Sequence, residues 1–220
     1  MRLPGLGGWS DDPAWATVYD WSVEHPRAGG LLWRLGIQSD LRRLYAATDE
    51  LGTLAAGTRV LDVPCGGGVA LRGLRPGQGV DYVAADIAQA MLDRTLDAAR
   101  DRGVADQVTT RIADVGDLPF DDESVDVVVT FTGLHCFPDP ERAVAEMTRV
   151  LRPGGFLTGS AVLTDTGLRH EPLRRAGRLA GLMGPMCSGP DVVRWLTAGG
   201  VERPSLDRSG AIAYFRGVRA

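Results

Sequence analysis

A run of three glycines directly after a short apolar segment constrains this chain more than any other feature. Val60 to Val63 is apolar except for one acid and has the length of a buried strand of a parallel sheet. Pro64 ends the strand, Cys65 follows, and Gly66 to Gly68 can adopt the positive φ angles that let a ligand lie against the backbone. Val69 to Leu74 then predicts a short helix. A strand, a glycine turn and a helix in this order predict a nucleotide-type site at the carboxyl end of the strand.

The spacing of the glycines indicates which nucleotide is bound. The dinucleotide fingerprint is G-x-G-x-x-G, and Leu71 stands where its third glycine would be. The chain has D-x-x-C-G-x-G instead, with Asp62 inside the strand. This pattern resembles motif I of the class I S-adenosylmethionine-dependent methyltransferases, although Pro64 replaces the family's more usual glycine. The resemblance implies that the methionine half of the cofactor is held by Asp62, Val63, Pro64, Cys65, Gly66 and Gly68.

Length, charge and cysteine content restrict the class of protein. With 220 residues the chain is long enough for one α/β domain and too short for two ordinary ones. The net charge of −4 argues against a general nucleic-acid surface. Cys65, Cys136 and Cys187 are odd in number and lack the spacing of metal ligands, so we expect no metal site and a reducing, cytoplasmic location. We also expect neither a signal peptide nor a membrane span.

The first part of the chain predicts a helical cap over residues 1–54. Residues 1–11 resemble a flexible lead-in, and Asp12 and Pro13 suit the cap and first position of a helix. A break is expected at His25-Pro26, with further helices over 31–35 and 40–54. Tyr19-Asp20 resembles a pair that lies near the cofactor in this family. The alternative is that Trp15, Tyr19 and Trp33 only pack in the core.

Two further acids follow predicted strands. Residues 79–85 alternate as a second strand that ends at Asp86, whose carboxylate can accept hydrogen bonds from both ribose hydroxyls. The segment Asp86-Ile87-Ala-Gln-Ala-Met91 resembles the family's sequence at the start of the next helix, which ends near Arg102. The resemblance implies that Ile87 contacts the cofactor and that Met91 turns towards the adenine; the alternative is that Met91 is an ordinary core residue of the helix. Residues 107–113 predict a third strand. The resemblance implies that Ala113, Asp114 and Val115 read the adenine ring.

The most apolar strand, Val125 to Phe131, is predicted to lie at the centre of the sheet. Phe131 and Thr132 are expected to contact the cofactor where this strand ends. His135 lies in a segment that resembles the family's L-H-x-x-P-D-P, and it is the candidate general base because its ordinary pKa suits removal of a proton near neutrality. The alternatives for His135 are a cofactor contact or packing below the pocket. Asp139-Pro140 is predicted to cap a helix over 143–150.

The remainder of the chain predicts the end of the sheet. A turn over 151–155 leads into a fifth strand over 156–162, a helix covers 190–199, and the segments 201–208 and 211–218 form a hairpin. The family resemblance implies a Rossmann-like α/β sheet of seven strands in the order 3-2-1-4-5-7-6, with the last strand antiparallel. The domain divides into the cap (1–54), a cofactor-binding core (55–163), a substrate-covering insertion with its helix (164–200) and the C-terminal hairpin (201–220).

The insertion is the predicted source of substrate contacts. Its arginines, among them Arg169, Arg174, Arg175 and Arg178, could pair with an anionic substrate, or they could belong to a solvated amphipathic helix. Residues 181–189 are rich in glycine, methionine and proline and could form a mobile lid.

Three functions are compatible with these features. The first is a small-molecule methyltransferase, similar to those of the ubiquinone and menaquinone type, that uses S-adenosylmethionine and acts as a monomer or homodimer. The second is a nicotinamide-dependent oxidoreductase, which the missing third glycine disfavours. The third is a protein that keeps the fold and binds the cofactor without turnover, because fold does not fix function.

Overall fold

Seven strands form one mixed sheet in the computed structural model, which describes residues 13–220, with side chains from Thr17 onward. The strands are β1 (Arg59–Asp62), β2 (Asp81–Asp86), β3 (Val108–Ile112), β4 (Val125–Phe131), β5 (Leu151–Val162), β6 (Val201–Ser209) and β7 (Ile212–Arg219). The helices are α1 (Pro13–Glu24), α2 (Pro26–Gly36), α3 (Leu41–Asp49), α4 (Gln89–Asp101), α5 (Pro140–Val150), α6 (Glu171–Leu179) and α7 (Gly189–Ala198). No helix in this described part is long and apolar enough to cross a membrane.

The strand order β3-β2-β1-β4-β5-β7-β6 confirms the sheet predicted from the sequence. The first five strands run parallel, and β7 pairs antiparallel with both β5 and β6. The apolar strand β4 lies between β1 and β5 and is buried along nearly its whole length. Parallel strands need helices on both faces, which explains why the central strands are apolar on both sides.

The two faces of the sheet support two apolar cores. Val60 and Leu61 are adjacent in β1 and point to opposite faces, as alternation along a strand requires. Leu61 packs in the core that α5 and α7 cover, together with Met147. Val60 packs in the core that α3 and α4 cover, together with Leu44. The cap therefore belongs to the second core and reaches the carboxyl ends of the strands from that side.

Some predicted helix boundaries agree with the structure, but α2 begins at Pro26 and not at the predicted 31, and α3 ends at Asp49, before the predicted 54. The chain breaks between α1 and α2 at His25, and α1 begins at Pro13. Asp12 and the side chain of Trp15 lie outside the described residues. Asp139 caps α5 by accepting a hydrogen bond from the Arg142 N–H at 3.0 Å.

The predicted turn over 151–155 is instead part of β5. Leu151 pairs with Val125, and the register then shifts before Phe156 pairs with Val127. Gly154 has a φ of +78°, which glycine adopts without strain. The double glycine thus forms an irregularity within a strand and does not precede it, a distinction that turn chemistry alone does not resolve.

Residues 181–189 are packed against the domain, contrary to the predicted mobile lid. Met186 and Cys187 are buried, and the Thr164 N–H donates to the Cys187 carbonyl at 2.9 Å. The segment ends in the predicted cap of α7, where Ser188 and Asp191 exchange hydrogen bonds in a capping box. These contacts hold the segment in place, so it does not have the exposed, weakly bonded backbone of a lid.

Candidate cofactor cleft

A cleft opens at the carboxyl ends of β1 to β4, beneath α1. All the predicted cofactor residues except Asp62 and Gly68 line it: Tyr19, Val63, Pro64, Cys65, Gly66, Asp86, Ile87, Met91, Ala113, Asp114, Val115, Phe131 and Thr132. The cleft is also lined by residues that the sequence analysis did not assign to the site: Asp20, Gly67, Val69, Cys136, Phe137 and Pro138. A ligand-binding cleft outside the carboxyl ends of parallel strands is what this type of sheet favours.

The glycine turn forms the floor of the cleft. The Cys65 N–H donates to the Ala85 carbonyl at 2.9 Å, which ties the turn to β2. Gly66 and Gly68 have φ angles of +52° and +82°, in the left-handed region. Gly68 faces Thr95 of α4 and not the cleft, so its role is to let the turn pass close to that helix.

Asp86 is held in a fixed position at the end of β2. Its two carboxylate oxygens each accept a backbone hydrogen bond, from the Gly66 N–H at 3.1 Å and from the Ala88 N–H at 3.0 Å. Only 6% of the residue is exposed, and this burial raises the pKa of the carboxyl group while the two N–H donors oppose the rise. Because a carboxylate has about four lone-pair sites, it can still accept two further hydrogen bonds from a ligand in the cleft.

Asp114 lies at the far end of the cleft and is exposed. Its Oδ1 accepts the Gly116 N–H at 2.8 Å, in a tight turn that orients the carboxylate. The neighbouring side chains of Ala113 and Val115 are buried and form apolar walls of the cleft. This end therefore offers one acidic acceptor beside an apolar surface.

The side chains of α1 form the roof. The Tyr19 hydroxyl lies 2.9 Å from Oγ1 of Thr132, which itself donates to the Phe131 carbonyl at 2.7 Å. Because the Thr132 proton is used in that bond, Tyr19 is the donor between the two hydroxyls. Burial raises the pKa of Tyr19 well above its usual value, so the phenol stays protonated.

Asp20 connects the roof to the floor. Its carboxylate pairs with Arg94 of α4 at 2.9 Å and lies directly over the glycine turn. A Cβ atom added to Gly67 would be 2.4 Å from Oδ1 of Asp20, so only glycine permits this approach. The sequence contains the signal for Asp20 in its Tyr-Asp pair, but it does not show which of the two side chains reaches the turn.

Asp62 lies below the cleft and does not line it. The side chain is buried and accepts a hydrogen bond from the Tyr82 hydroxyl at 2.6 Å. Burial raises the pKa of Asp62 to about 7, and the neighbouring Asp86 adds to the rise. The geometry therefore gives Asp62 a place in the packing under the turn, in contrast to the cofactor contact that the family resemblance implies.

His135, the candidate general base, is not brought into the cleft. Its ring is buried, and Nδ1 accepts the Val162 N–H at 3.3 Å. Burial lowers the pKa of His135 to about 4, so the ring is neutral at pH 7. Its position agrees with the alternative of packing below the pocket.

The arginines of the insertion also lie away from the cleft. Arg174 is buried and donates to the carbonyls of Leu163 and Gly167 at 3.3 and 3.0 Å, and it pairs with Glu171. Arg178 pairs with the same Glu171 at 2.7 Å. These two side chains hold the insertion together, so the structure does not place them where they could bind a substrate in the cleft.

Comparison with known proteins shows that the part of the chain that forms the cleft is similar to methyltransferases. Residues 61–158 match the family model described as a methyltransferase domain. A ubiquinone/menaquinone biosynthesis C-methyltransferase from Idiomarina loihiensis is 42% identical over 110 residues, which are 49% of this chain and 44% of that protein. A 27-O-demethylrifamycin SV methyltransferase from Amycolatopsis mediterranei is 36% identical over 113 residues, 50% of this chain and 42% of that protein. The matched region thus spans less than half the length of these relatives.

Solved structures share the fold. The structure of a phosphoethanolamine N-methyltransferase 2 from Haemonchus contortus, in complex with S-adenosyl-L-methionine, superposes with a TM-score of 0.72. It is 14% identical and covers 93% of this chain and 56% of that one. These matches give no support to a nicotinamide-dependent oxidoreductase or to a non-catalytic protein. The motif order, the sheet and the family match over residues 61–158 together identify a methyltransferase domain in this part of the chain, similar to those of the class I S-adenosylmethionine-dependent family.

Proposed function

We propose that this chain transfers a methyl group from S-adenosylmethionine to a small-molecule acceptor by in-line displacement. The observation that carries the proposal is the position of Asp86, whose carboxylate is fixed by the glycine turn on one side and by the start of α4 on the other. A carboxylate fixed in this way can accept both hydroxyls of a ribose without further reorganisation. The apolar side chains beside it suit an adenine ring.

The remaining residues of the cleft fit the two ends of this cofactor. Asp114 is suited to accept the adenine amino group, and Met91, Ala113 and Val115 would enclose the ring. At the other end, the exposed backbone of Gly66 and Gly67 and the carboxylate of Asp20 are suited to the charged methionine head. We therefore assign to Asp20 the role that the sequence first suggested for Asp62.

The cofactor supplies a methyl group on a sulfonium, which is already a good leaving group. The contribution of the protein is alignment of the acceptor and exclusion of water. Tyr19 and Thr132 close the cleft over the end of β4, and their hydrogen bond fixes the roof. Because Tyr19 stays protonated and His135 lies outside the cleft, we expect the acceptor to bind in its uncharged form and to lose any proton to water and not to an imidazole base.

The acceptor is proposed to be uncharged and largely apolar. Cys136, Phe137 and Pro138 line the cleft beyond the end of β4. No arginine or histidine is among the described residues that line the cleft, so an anionic acceptor would find no basic partner in that part of it. The two relatives named above act, by their names, on small molecules, which supports an acceptor of this size. A cytoplasmic location and a monomeric or homodimeric state stay predictions.

Calorimetry with S-adenosylhomocysteine tests the cofactor assignment. Replacing Asp86 by Asn is expected to weaken binding at least tenfold, because a charge-assisted contact of roughly 1.5–3 kcal/mol is lost. Asp93→Asn is the matched control, since Asp93 lies on α4, the helix that follows Asp86, and it is exposed and accepts a hydrogen bond from Gln89. Equal affinity of the native protein and a folded Asp86→Asn variant would refute the ribose assignment.

Turnover is tested separately with methyl-labelled S-adenosylmethionine. The purified protein is incubated with a panel of quinols, phenols and hydroxylated macrocycles, and labelled product is extracted and counted. Transfer to at least one uncharged acceptor is expected, with a rate that follows the ionisation of the acceptor and not that of a histidine. Binding of the cofactor without transfer to any acceptor would favour the non-catalytic alternative.

A further inference from the structure

The outer face of α2 is apolar although it points to solvent. Leu31, Leu32 and Leu35 are 59%, 48% and 73% exposed. Their spacing places them on one side of the helix, opposite Trp33, which is buried in the core. A surface helix normally turns its apolar side inward. The outer face of α2, defined by these three leucines, is therefore an unpartnered apolar stripe on a helix that is already anchored by its other side.

Two arginines flank this stripe. Arg27 and Arg34 are exposed, and neither forms an ion pair with any side chain in the described part of the chain. The sequence of α2 contains no acidic residue. Most other arginines pair with a carboxylate, as Arg72 and Arg102 do with Glu24. The surface of α2 therefore carries positive charge that no carboxylate of the helix neutralises, although the net charge of the chain is −4.

The outer face of α6 has the same composition. Leu168, in the turn that precedes α6, and Leu179, the last residue of α6, are 88% and 90% exposed, and Arg175, which lies between them in sequence, is also exposed. These three residues define the outer face of α6. Arg169, next to Leu168, is also exposed. Leucines that are nearly fully solvated are costly in water unless they contact something. Two elements of the domain thus present exposed leucines together with arginines.

Hydrogen bonds connect the two helices at one corner of the molecule. The Ile37 carbonyl, one residue after α2, accepts the Ala211 N–H at 2.9 Å. The Ala211 carbonyl accepts the Leu163 N–H at 3.4 Å, and the Leu163 carbonyl accepts a hydrogen bond from Arg174 of α6 at 3.3 Å. A short path of hydrogen bonds therefore connects α2 with α6. Both helices pack in the core on the side of the sheet where the cap covers the cleft.

We propose that the outer faces of α2 and α6 dock together onto a lipid bilayer that contains anionic headgroups. Exposed leucines would enter the boundary between headgroups and acyl chains, and the unpaired arginines would pair with lipid phosphates, as in other interfacial helices. The inference does not depend on the methyl transfer proposed above. It adds a surface on which an apolar acceptor could reach the protein.

Charge distinguishes a bilayer from a second copy of this chain. A twofold contact through α2 would bring Arg27 and Arg34 of both copies into one interface, and α2 offers no carboxylate to neutralise them. An anionic bilayer supplies the opposite charge on its whole surface. The arrangement of arginines beside leucines therefore favours lipid over self-association.

Sedimentation with vesicles tests the proposal on the full chain. Vesicles of phosphatidylcholine alone are compared with vesicles in which about one third of the lipid is phosphatidylglycerol, at low and high salt. The native protein is expected to sediment with the anionic vesicles and to be released by salt. Leu31→Ser with Leu35→Ser is expected to lower the partition constant about tenfold or more, and Leu168→Ser with Leu179→Ser to lower it severalfold.

The charge contribution has its own variant and a matched control. Arg27→Gln with Arg34→Gln should lower binding to anionic vesicles about thirtyfold at low salt, with little effect on neutral vesicles. The control is Arg111→Gln with Ile112→Ser on the edge strand β3, where Ile112 is 58% exposed, similar to Leu31. The control should bind vesicles as the native protein does, and thermal melting should show that every variant is folded.

Several outcomes would overturn the proposal. One is a native protein that does not sediment with either vesicle. Another is a control variant that loses binding as much as the leucine variants do. A loss confined to the variants of one helix would exclude the joint surface. Light scattering that shows a native dimer, dissociated by Leu31→Ser with Leu35→Ser, together with no vesicle binding, would assign the face to a second copy of the chain.

Discussion

Two buried groups below the cleft are expected to titrate with opposite effects on stability. The pKa of Asp62 is raised to about 7, so between pH 3.8 and 7 the folded protein holds a proton that the unfolded chain has lost. Asp62 therefore makes the free energy of unfolding increase as the pH falls through this range. The pKa of His135 is lowered to about 4, so between pH 4 and 6.5 the unfolded chain holds the extra proton. His135 therefore makes the free energy of unfolding decrease over the same range.

The contributions of Asp62 and His135 to the pH dependence of the free energy of unfolding nearly cancel. One bound proton changes the free energy of unfolding by about 1.36 kcal/mol per pH unit. Over the shared window of about 2.5 units, each group contributes about 3 kcal/mol, with opposite sign. Removing one group should reveal the other. Relative to the native protein, His135→Asn should gain about 3 kcal/mol of stability on acidification from about pH 6.5 to about pH 4, and Asp62→Asn should lose about as much.

Urea denaturation at several pH values within this window measures both slopes. Other carboxylates whose pKa values are lowered by hydrogen bonds, from Arg149 to Glu146 and from Ser188 to Asp191, also reduce stability at low pH. Their effect is common to the native protein and both variants, so it disappears from the differences. Asn can still accept the Tyr82 hydroxyl at position 62, which limits the structural change. If the free energy of unfolding of both variants changed with pH as it does in the native protein, the opposite pKa shifts of Asp62 and His135 would be refuted.

Two further predictions concern close contacts in the interior of the domain. Gly133→Ala should lower the free energy of unfolding by about 1–3 kcal/mol, because the new Cβ would lie 2.2 Å from Cδ of Pro64; Gly30→Ala, with open space around it, should be neutral or stabilising by up to about 1 kcal/mol. Arg174→Met should lower the free energy of unfolding by about 2–4 kcal/mol, since buried carbonyls lose their donor. Arg175→Met, at an exposed side chain, should change the free energy of unfolding by no more than about 0.5 kcal/mol. Thermal and urea unfolding measure all four changes, and equal effects within either pair would contradict the packing described.

The sequence predicted the sheet and much of the cleft because both depend on local signals. A carboxylate at the end of a parallel strand lies at the carboxyl edge of the sheet, which is why Asp86 could be placed at the cleft from the sequence, whereas Asp114, which also lines the cleft, was assigned from the family resemblance. The glycine turn could be placed for the same reason. Strand order followed from the family resemblance and not from residue pattern, since no local signal orders seven strands.

The residues that sequence reasoning misplaced depend on tertiary geometry. The segment around His135 resembles a family motif, but a motif does not say which side of a loop faces the cleft, and this ring turns inward to the Val162 N–H. Asp20 was not assigned because its approach to Gly67 joins segments far apart in sequence. Arg174 was a candidate substrate contact because a helical pattern does not reveal a loop whose carbonyls need a buried donor.

The stagger of neighbouring strands explains why three strand-end acids have different environments. Asp62 pairs in register with Ala84 of β2, and Asp86 lies two residues further along the same strand. Asp86 pairs with Ile112 of β3, and Asp114 lies two residues beyond that. Each step of two residues advances about 6.6 Å and keeps the side chain on the same face of the sheet. The three acids therefore lie in three different places: Asp62 is buried below the turn, Asp86 is held at the cleft and Asp114 is exposed at the far end of the cleft. Insertion of a single residue into β2 would turn Asp86 to the opposite face and remove it from the cleft, so the spacing of the acids, as much as their identity, determines the site.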